Sequence, residues 1–236
     1  MSLRESVATP DGKRRYVRTL FATIADRYDL ITVVLSYGRD RAWKRRLLRL
    51  APPLDGLRVL DLATGTGDIA YLAHDAGAQV TGLDVTTRMI QLAVAKRPGA
   101  ARPRFLVGDM TALPLAAGSF DVVTTGYGLR NVPDLGGAID EIARVLKPGG
   151  LLLSLDFDRP EQPFIRAVYL AYLTVVGGAL GWFLHRDPDT YRYIPESIRQ
   201  YPGAAGVVRL LRARGFATAS TRAVLGGFMA IHEART

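Results

Sequence analysis

Cysteine is absent from the 236 residues. That excludes disulfides, thiolate zinc sites and a cysteine nucleophile, and it suits a reducing cytoplasm. Histidine is scarce: His74, His185 and His232 are the full set. Without clustered imidazoles or thiolates, no metal site is expected. The opening stretch, MSLRESVATPDGKRRYVRTL, lacks the apolar run of a secretory signal, so export is not expected. Acidic residues are short at one end only. Residues 1–50 hold 12 basic and 5 acidic side chains, which supplies most of the net charge of +9. Such a patch attracts nucleic-acid phosphates, anionic lipid headgroups or a phosphorylated ligand, or it is simply a solvated face. With 48% hydrophobic and 22% charged residues, the chain is globular and long enough for one well-filled core.

From Leu57 onward, short apolar runs alternate with segments of helical period. Strands are expected at Arg58–Leu62, Gln79–Asp84, Arg104–Val107, Phe120–Thr125 and Leu151–Phe157. Helices are expected at Asp68–Asp75, Thr86–Lys96 and Leu135–Leu146, the last stopped by Lys147-Pro148-Gly149-Gly150. This alternation defines an α/β fold with a doubly wound, mostly parallel sheet. A helix at Ala204–Arg214, capped by Gly215, and a closing antiparallel pair at Phe216–Ala223 and Gly227–Glu233 complete it. Residues 10–50 read as two helices with a turn near Ser36-Tyr37-Gly38. We therefore divide the chain into a helical lid over 1–50 and a core over 51–236, with an insertion at about 159–203. Within that insertion, Ala167–Leu184 is 18 residues without a charge, at the lower limit for a membrane span. A span would split the sheet between two sides of a bilayer, so the stretch is read as an apolar lid, a surface for a greasy ligand, or core packing.

Ligands of open parallel sheets sit beyond the carboxyl ends of the strands. The first strand runs into Asp61-Leu62-Ala63-Thr64-Gly65-Thr66-Gly67-Asp68, where Gly65 and Gly67 permit a tight turn and close approach of a ligand. GTGDIA also satisfies the GxGxxA dinucleotide pattern, which leaves a nicotinamide cofactor open. Charge argues against it, because Asp68 would face a pyrophosphate at the helix N-terminus. Asp61, Asp84 and Asp109 follow the first three strands. Three acids around one cleft suit a cation that carries ribose and adenine, and S-adenosyl-L-methionine fits, with Asp84 on the ribose and Asp109 on the adenine amino group.

The blocks FATIADRYDLITVVLSYGRDRAWKRR, VLDLATGTGD, GDMTALPL, SFDVVTTGYGLRNVPDL, ARVLKPGG and YRYIPESIRQYP together resemble the UbiE-type ubiquinone/menaquinone biosynthesis C-methyltransferases, across residues 21–202. The resemblance implies a seven-stranded, Rossmann-like class I methyltransferase. It also implies cofactor contacts at Thr66, Asp84, Asp109, Met110 and Gly126, and methylation of a ring carbon on a polyprenyl quinol. The chain departs from the family after the fifth strand. LDFDRP stands where LEFSKP is usual, so Asp156 replaces a glutamate and Asp158 a serine.

A phenol titrates near ~10, and a nearby cation lowers that value, which makes the ring carbon nucleophilic. Arg130 is therefore expected to stabilise the phenolate, Asn131 to orient the ring oxygen, and Asp156 to accept a proton. In Asp40–Leu50, Trp43, Leu47 and Leu50 share one face while Arg41, Lys44, Arg45 and Arg49 crowd elsewhere. That helix either packs on the sheet or joins Ala167–Leu184 at an entrance on an anionic membrane. A homodimer is a further expectation, and a nucleic-acid partner is not, since Arg130-Asn131-Val132-Pro133 lacks the Asn-Pro-Pro-aromatic grip on a flipped base. The alternatives left open are a methyltransferase of another small phenol or amine and a non-catalytic subunit that binds the same cofactor.

Overall fold

The computed structural model describes residues 3–99 and 102–236. Seven strands form one sheet: β1 (Arg58–Leu62), β2 (Gln79–Asp84), β3 (Arg104–Val107), β4 (Phe120–Gly126), β5 (Leu146–Phe157), β6 (Thr218–Val224) and β7 (Met229–Arg235). Their order is β3-β2-β1-β4-β5-β7-β6, with β7 antiparallel to both neighbours. The strand order reverses between the parallel neighbours β1 and β4, and a crevice opens above that switch point. Leu60, Leu62, Val122, Val123, Leu152 and Leu153 are buried on one sheet face or the other, as expected of continuous apolar runs in a parallel sheet.

Four helices precede the sheet: α1 (Leu3–Ser6), α2 (Pro10–Ile24), α3 (Tyr28–Leu35) and α4 (Asp40–Leu48). Thr9 starts α2: its Oγ1 accepts the Gly12 N–H at 3.1 Å, and Pro10 occupies the first turn. The first expected helix is thus two, since a 3₁₀ turn at Ala25–Arg27 separates α2 from α3. On α4, Trp43 and Leu47 are buried with Leu54, Val59 and Ile69, so its apolar face packs on the core.

Between the strands lie α5 (Asp68–Asp75), α6 (Thr87–Lys96) and α7 (Leu135–Val145). β5 begins earlier than expected. Leu146 pairs with Phe120 and Leu151 with Val122, so Lys147–Gly150 bulge out of an otherwise continuous ladder, with Gly149 at φ 74°. The apolar insertion is one helix, α8 (Pro163–His185), antiparallel in sequence order to α9 (Asp189–Gln200), and α10 (Gly203–Ala213) follows. Length and composition would let α8 cross a membrane, yet it lies alongside α9. Its glycines explain the fit. Pro195 lacks the N–H that would bond the Tyr191 carbonyl within α9. Gly177 packs against that same carbonyl, where a Cβ would stand only 2.9 Å away.

Candidate active site

Two neighbouring cavities and a small hollow occupy the crevice. The first is lined by Gly65, Asp84, Asp109, Met110 and Gly126, all expected cofactor residues, and roofed by Arg14 and Val17 of α2. The second, of about 680 Å³, is lined by α3, α8 and α9 and holds Arg130 and Asn131. Phe21, Tyr28, Tyr127 and Asn131 line both. The hollow beside them is lined by Asp61, Thr66, Asp68 and Lys44.

The strand ends fix the acids. Gly65 at φ 54° turns its N–H onto Asp84 Oδ2 at 2.9 Å, and the Thr86 N–H donates to Oδ1 at 2.8 Å. Burial raises the Asp84 carboxyl above its ordinary value, against the pull of those two amides. Asp109 accepts from the N–H and hydroxyl of Thr111, and Arg14 reaches it at 3.5 Å from across the cavity. Gly67, at φ 85°, lines neither cavity and instead starts α5 in a left-handed conformation.

Asp61 departs from the expected ring of three acids. It is turned inward, where it accepts from Thr64 Oγ1 at 2.6 Å and from Thr124 Oγ1, on the neighbouring strand, at 2.7 Å. Burial pushes it up to about 6 despite those bonds. Asp68 departs as well: Lys44 bonds it at 2.8 Å and Lys96 at 2.7 Å, so it is no bare charge at the helix N-terminus. Burial would raise its carboxyl, but the two lysines hold it down at about 2. The negative character of the cofactor cavity therefore comes from Asp84 and Asp109. Thr66 is tied to the lid, with its Oγ1 donating to Asp29 at 2.5 Å.

Arg130 and Asn131 stand in a 3₁₀ turn after β4. The register Gly126↔Leu155 brings this turn beside the end of β5. Asp156 accepts there from the Arg130 backbone N–H at 3.0 Å and from its Nε at 3.2 Å. Asp156 is fully buried and lines neither cavity, so it sits behind Arg130. The guanidinium also donates to Ser197 Oγ of α9 and stacks over Phe157 with 5.0 Å to the ring centre, which leaves Nη2 uncommitted at the cavity. Lys13 of α2 donates to the Arg130 carbonyl at 3.0 Å, and burial with the Arg130 charge lowers that lysine to about 8. Asn131 Nδ2 donates to the Tyr127 carbonyl at 2.8 Å. Its Oδ1 is buried without a partner among the described residues, an acceptor held open where the cavities meet.

Sequence reasoning missed Tyr28, Tyr127 and Lys44. Tyr127 adopts φ 61°, a strained value for a bulky residue, and its hydroxyl donates to Asp40 at 2.7 Å. The signal available was position alone: Tyr127 follows the glycine that ends β4.

An acid at the end of β2, an acid after β3, a glycine turn after β1 and an open acceptor at Asn131 fit a cationic adenosyl ligand. Together with the strand order, they define a class I S-adenosylmethionine-dependent methyltransferase. Solved structures share the fold: a methyltransferase from Thermotoga maritima matches with a TM-score of 0.64 at 18% identity, over 92% of this chain and 98% of that one. A Haloferax volcanii methyltransferase solved with its Trm112 activator matches at 0.62 and 22%, over 84% and 91%. The chain belongs to the ubiE/COQ5 methyltransferase family, whose sequence model matches residues 9–236. Among its relatives are a demethylmenaquinone methyltransferase of Beutenbergia cavernae, 40% identical over 93% of this chain and 90% of the relative, and one of Thermus thermophilus, 41% identical over 84% and 91%. A ubiquinone/menaquinone biosynthesis C-methyltransferase UbiE of Rubrivivax gelatinosus is 37% identical over 97% and 89%. The protein is thus a methyltransferase of quinone biosynthesis that uses S-adenosylmethionine.

Proposed function

We propose that the acceptor is a polyprenyl quinol whose ring sits between Tyr127, Asn131 and Arg130, with its tail in the 680 Å³ cavity. One observation carries this reading: Arg130 is the single charged residue among the described lining of a largely apolar cavity, and its neighbour Asn131 lines the cofactor cavity too. A ligand matched to it has one anionic or phenolic end and a long hydrocarbon end. S-adenosylmethionine, held by the strand ends, supplies an electrophilic methyl on a sulfonium. The protein has three tasks. Arg130 Nη2 stabilises the phenolate oxygen, which raises electron density on the neighbouring ring carbon. Asn131 orients the ring so that this carbon faces the methyl, and the apolar walls exclude water. The bound cofactor would give its methyl to the ring carbon and keep the carbon–sulfur electron pair on the departing thioether, and the ring carbon would pass its proton to solvent as the site opens, which restores aromaticity. Asp156 holds the guanidinium in place rather than taking that proton.

The family departure at LDFDRP supports this division of labour, because the shorter aspartate suits a carboxylate tucked directly under Arg130. The mouth of the cavity lies between α3 and α8. Phe164 (79% exposed), Val168, Tyr172, Val34 and Tyr37 rim it, and the Tyr37 and Tyr172 hydroxyls touch across it. This rim replaces α4 as the outer wall of the entrance. With Arg27, Arg166 and Arg186 along the same segments, it suits peripheral contact with an anionic bilayer from which a tailed quinol enters.

The test is steady-state methylation of a demethylated quinol by Arg130→Lys. Turnover is expected to fall about 100-fold, because a lysine lacks the planar fork that Asp156 and Ser197 position. Cofactor affinity should stay within about threefold. Full turnover in this variant would remove Arg130 from the chemistry.

A further inference from the structure

We propose that Lys44 is the anchor for the carboxylate at the amino-acid end of S-adenosylmethionine, which lodges in the hollow beside the glycine turn. Sequence reasoning grouped Lys44 with the basic side chains set apart from Trp43 and Leu47, but α4 carries it inward, to 5% exposure. An ammonium at that depth is costly unless paired, and Lys44 bonds Asp40 at 2.6 Å and Asp68 at 2.8 Å. Burial alone would lower its value. The carboxylates of Asp68 and Asp40 outweigh burial and keep it charged above the ordinary lysine value. Those bonds spend two of its three donors.

Position gives the third donor its use. Tyr28, Ala63, Gly126 and Tyr127 line both the hollow and the cofactor cavity, so the two adjoin at the end of β4. A ligand whose adenosine lies between Asp84 and Asp109 extends its remaining end toward this hollow. That end is a zwitterion, with an ammonium and a carboxylate on one carbon. Asp61 and Asp68 line the hollow and suit the ammonium. Lys44 is the only cation among its described lining residues, and it suits the carboxylate. The lid helix α4 thereby contributes a binding group of its own to the strand-end site. The inference rests on the cofactor and stands apart from the identity of the acceptor.

Decarboxylated S-adenosylmethionine separates this role from plain neutralisation of Asp40 and Asp68. It keeps the sulfonium and the ammonium and lacks only the carboxylate, so it carries one more net positive charge. A hollow that offered acids alone would favour it. Titration calorimetry of the wild-type protein is expected to show S-adenosylmethionine binding about 10- to 100-fold more tightly than the decarboxylated form. In Lys44→Gln that preference should fall to within about threefold, through weaker binding of the carboxylated ligand. Lys44→Arg should restore most of it. Equal or tighter wild-type binding of the decarboxylated ligand overturns the proposal. So does a Lys44→Gln protein in which both ligands weaken in parallel, which would make Lys44 structural. If Lys44→Gln does not fold, the wild-type ratio decides alone.

Discussion

The cofactor cavity and the acceptor cavity share Phe21, Tyr28, Tyr127 and Asn131, yet different kinds of structure build them. The first is made by strand ends and the turns that follow them. Its acids are held by backbone amides one or two residues away or on the adjacent strand, as with Asp84 and the N–H groups of Gly65 and Thr86. The second is made largely by α3, α8 and α9. Its one charge is held by residues 26 and 67 positions away, Asp156 and Ser197. Backbone hydrogen bonds hold one wall, while the other consists largely of apolar side chains. A donor common to many reactions goes with the first kind of wall, and a particular acceptor with the second.

The largest expected effect tests whether Asp156 belongs to the frame or to the chemistry. Asp156→Ala leaves the Arg130 charge buried and unpaired, at a cost of about 3–5 kcal/mol. For a domain of this size, the melting temperature should drop by roughly 10 °C or more. Turnover should fall as well, because the guanidinium loses its aim, while cofactor binding measured well below the transition should change little. Calorimetric melting and ligand titration check both. A variant that melts like wild type and loses only turnover would return Asp156 to the role of proton acceptor.

What the sequence made legible follows the same division. That Asp84, Asp109 and Gly126 stand together along one cavity was legible because a strand's end and the residue after it are local properties, readable from an apolar run that stops. Asp61 has the same local signature, yet it lines the neighbouring hollow rather than the cavity that Asp84 and Asp109 share. Its direction is decided by Thr124 on the neighbouring strand, and pairing of β1 with β4 is invisible to a local pattern. Lys44 was misread for a related reason. Helical periodicity set it apart from Trp43 and Leu47, but the face it occupies meets the glycine turn and Asp68 rather than solvent. The apolar stretch in α8 was legible as unusual. That α9 would cover its glycine side and leave Phe164 and Val168 exposed is a tertiary outcome with no local signature.

An intermediate effect sharpens the contrast between the walls. Phe164 and Val168 are exposed, so Phe164→Ser with Val168→Ser should leave the melting temperature within about 2 °C of wild type. If the tail of the acceptor covers them, the variant loses about 1.5–3 kcal/mol of apolar burial for each side chain the tail fully covers. KM for a long-tailed quinol should then rise at least tenfold, whereas the KM for a tail-less quinol and the affinity for S-adenosylmethionine should stay near wild type. Equal changes for tailed and tail-less acceptors would place the tail elsewhere.

The smallest effect compares the groups buried beneath the two halves. Under the cofactor half, burial raises Asp61 to about 6 from an ordinary value near 3.8. The folded protein then holds this proton more tightly than the unfolded chain, so the contribution of Asp61 to stability declines as pH rises from about 4 to 6. Under the acceptor half, burial lowers His232 to about 4 from 6.5, against the opposing pull of Asp156. The unfolded chain is there the tighter proton binder, so the contribution of His232 increases with pH through nearly the same window. Each shift is worth on the order of 3 kcal/mol, and the two largely cancel in the wild-type protein. Urea unfolding at pH 4.5 and 6.0 separates them. Relative to wild type, Asp61→Asn should gain stability on going to the higher pH and His232→Gln should lose it. Parallel behaviour of all three proteins would mean that neither group stays buried in the form the strand ends impose, and that the frame beneath both cavities yields as readily as the apolar wall.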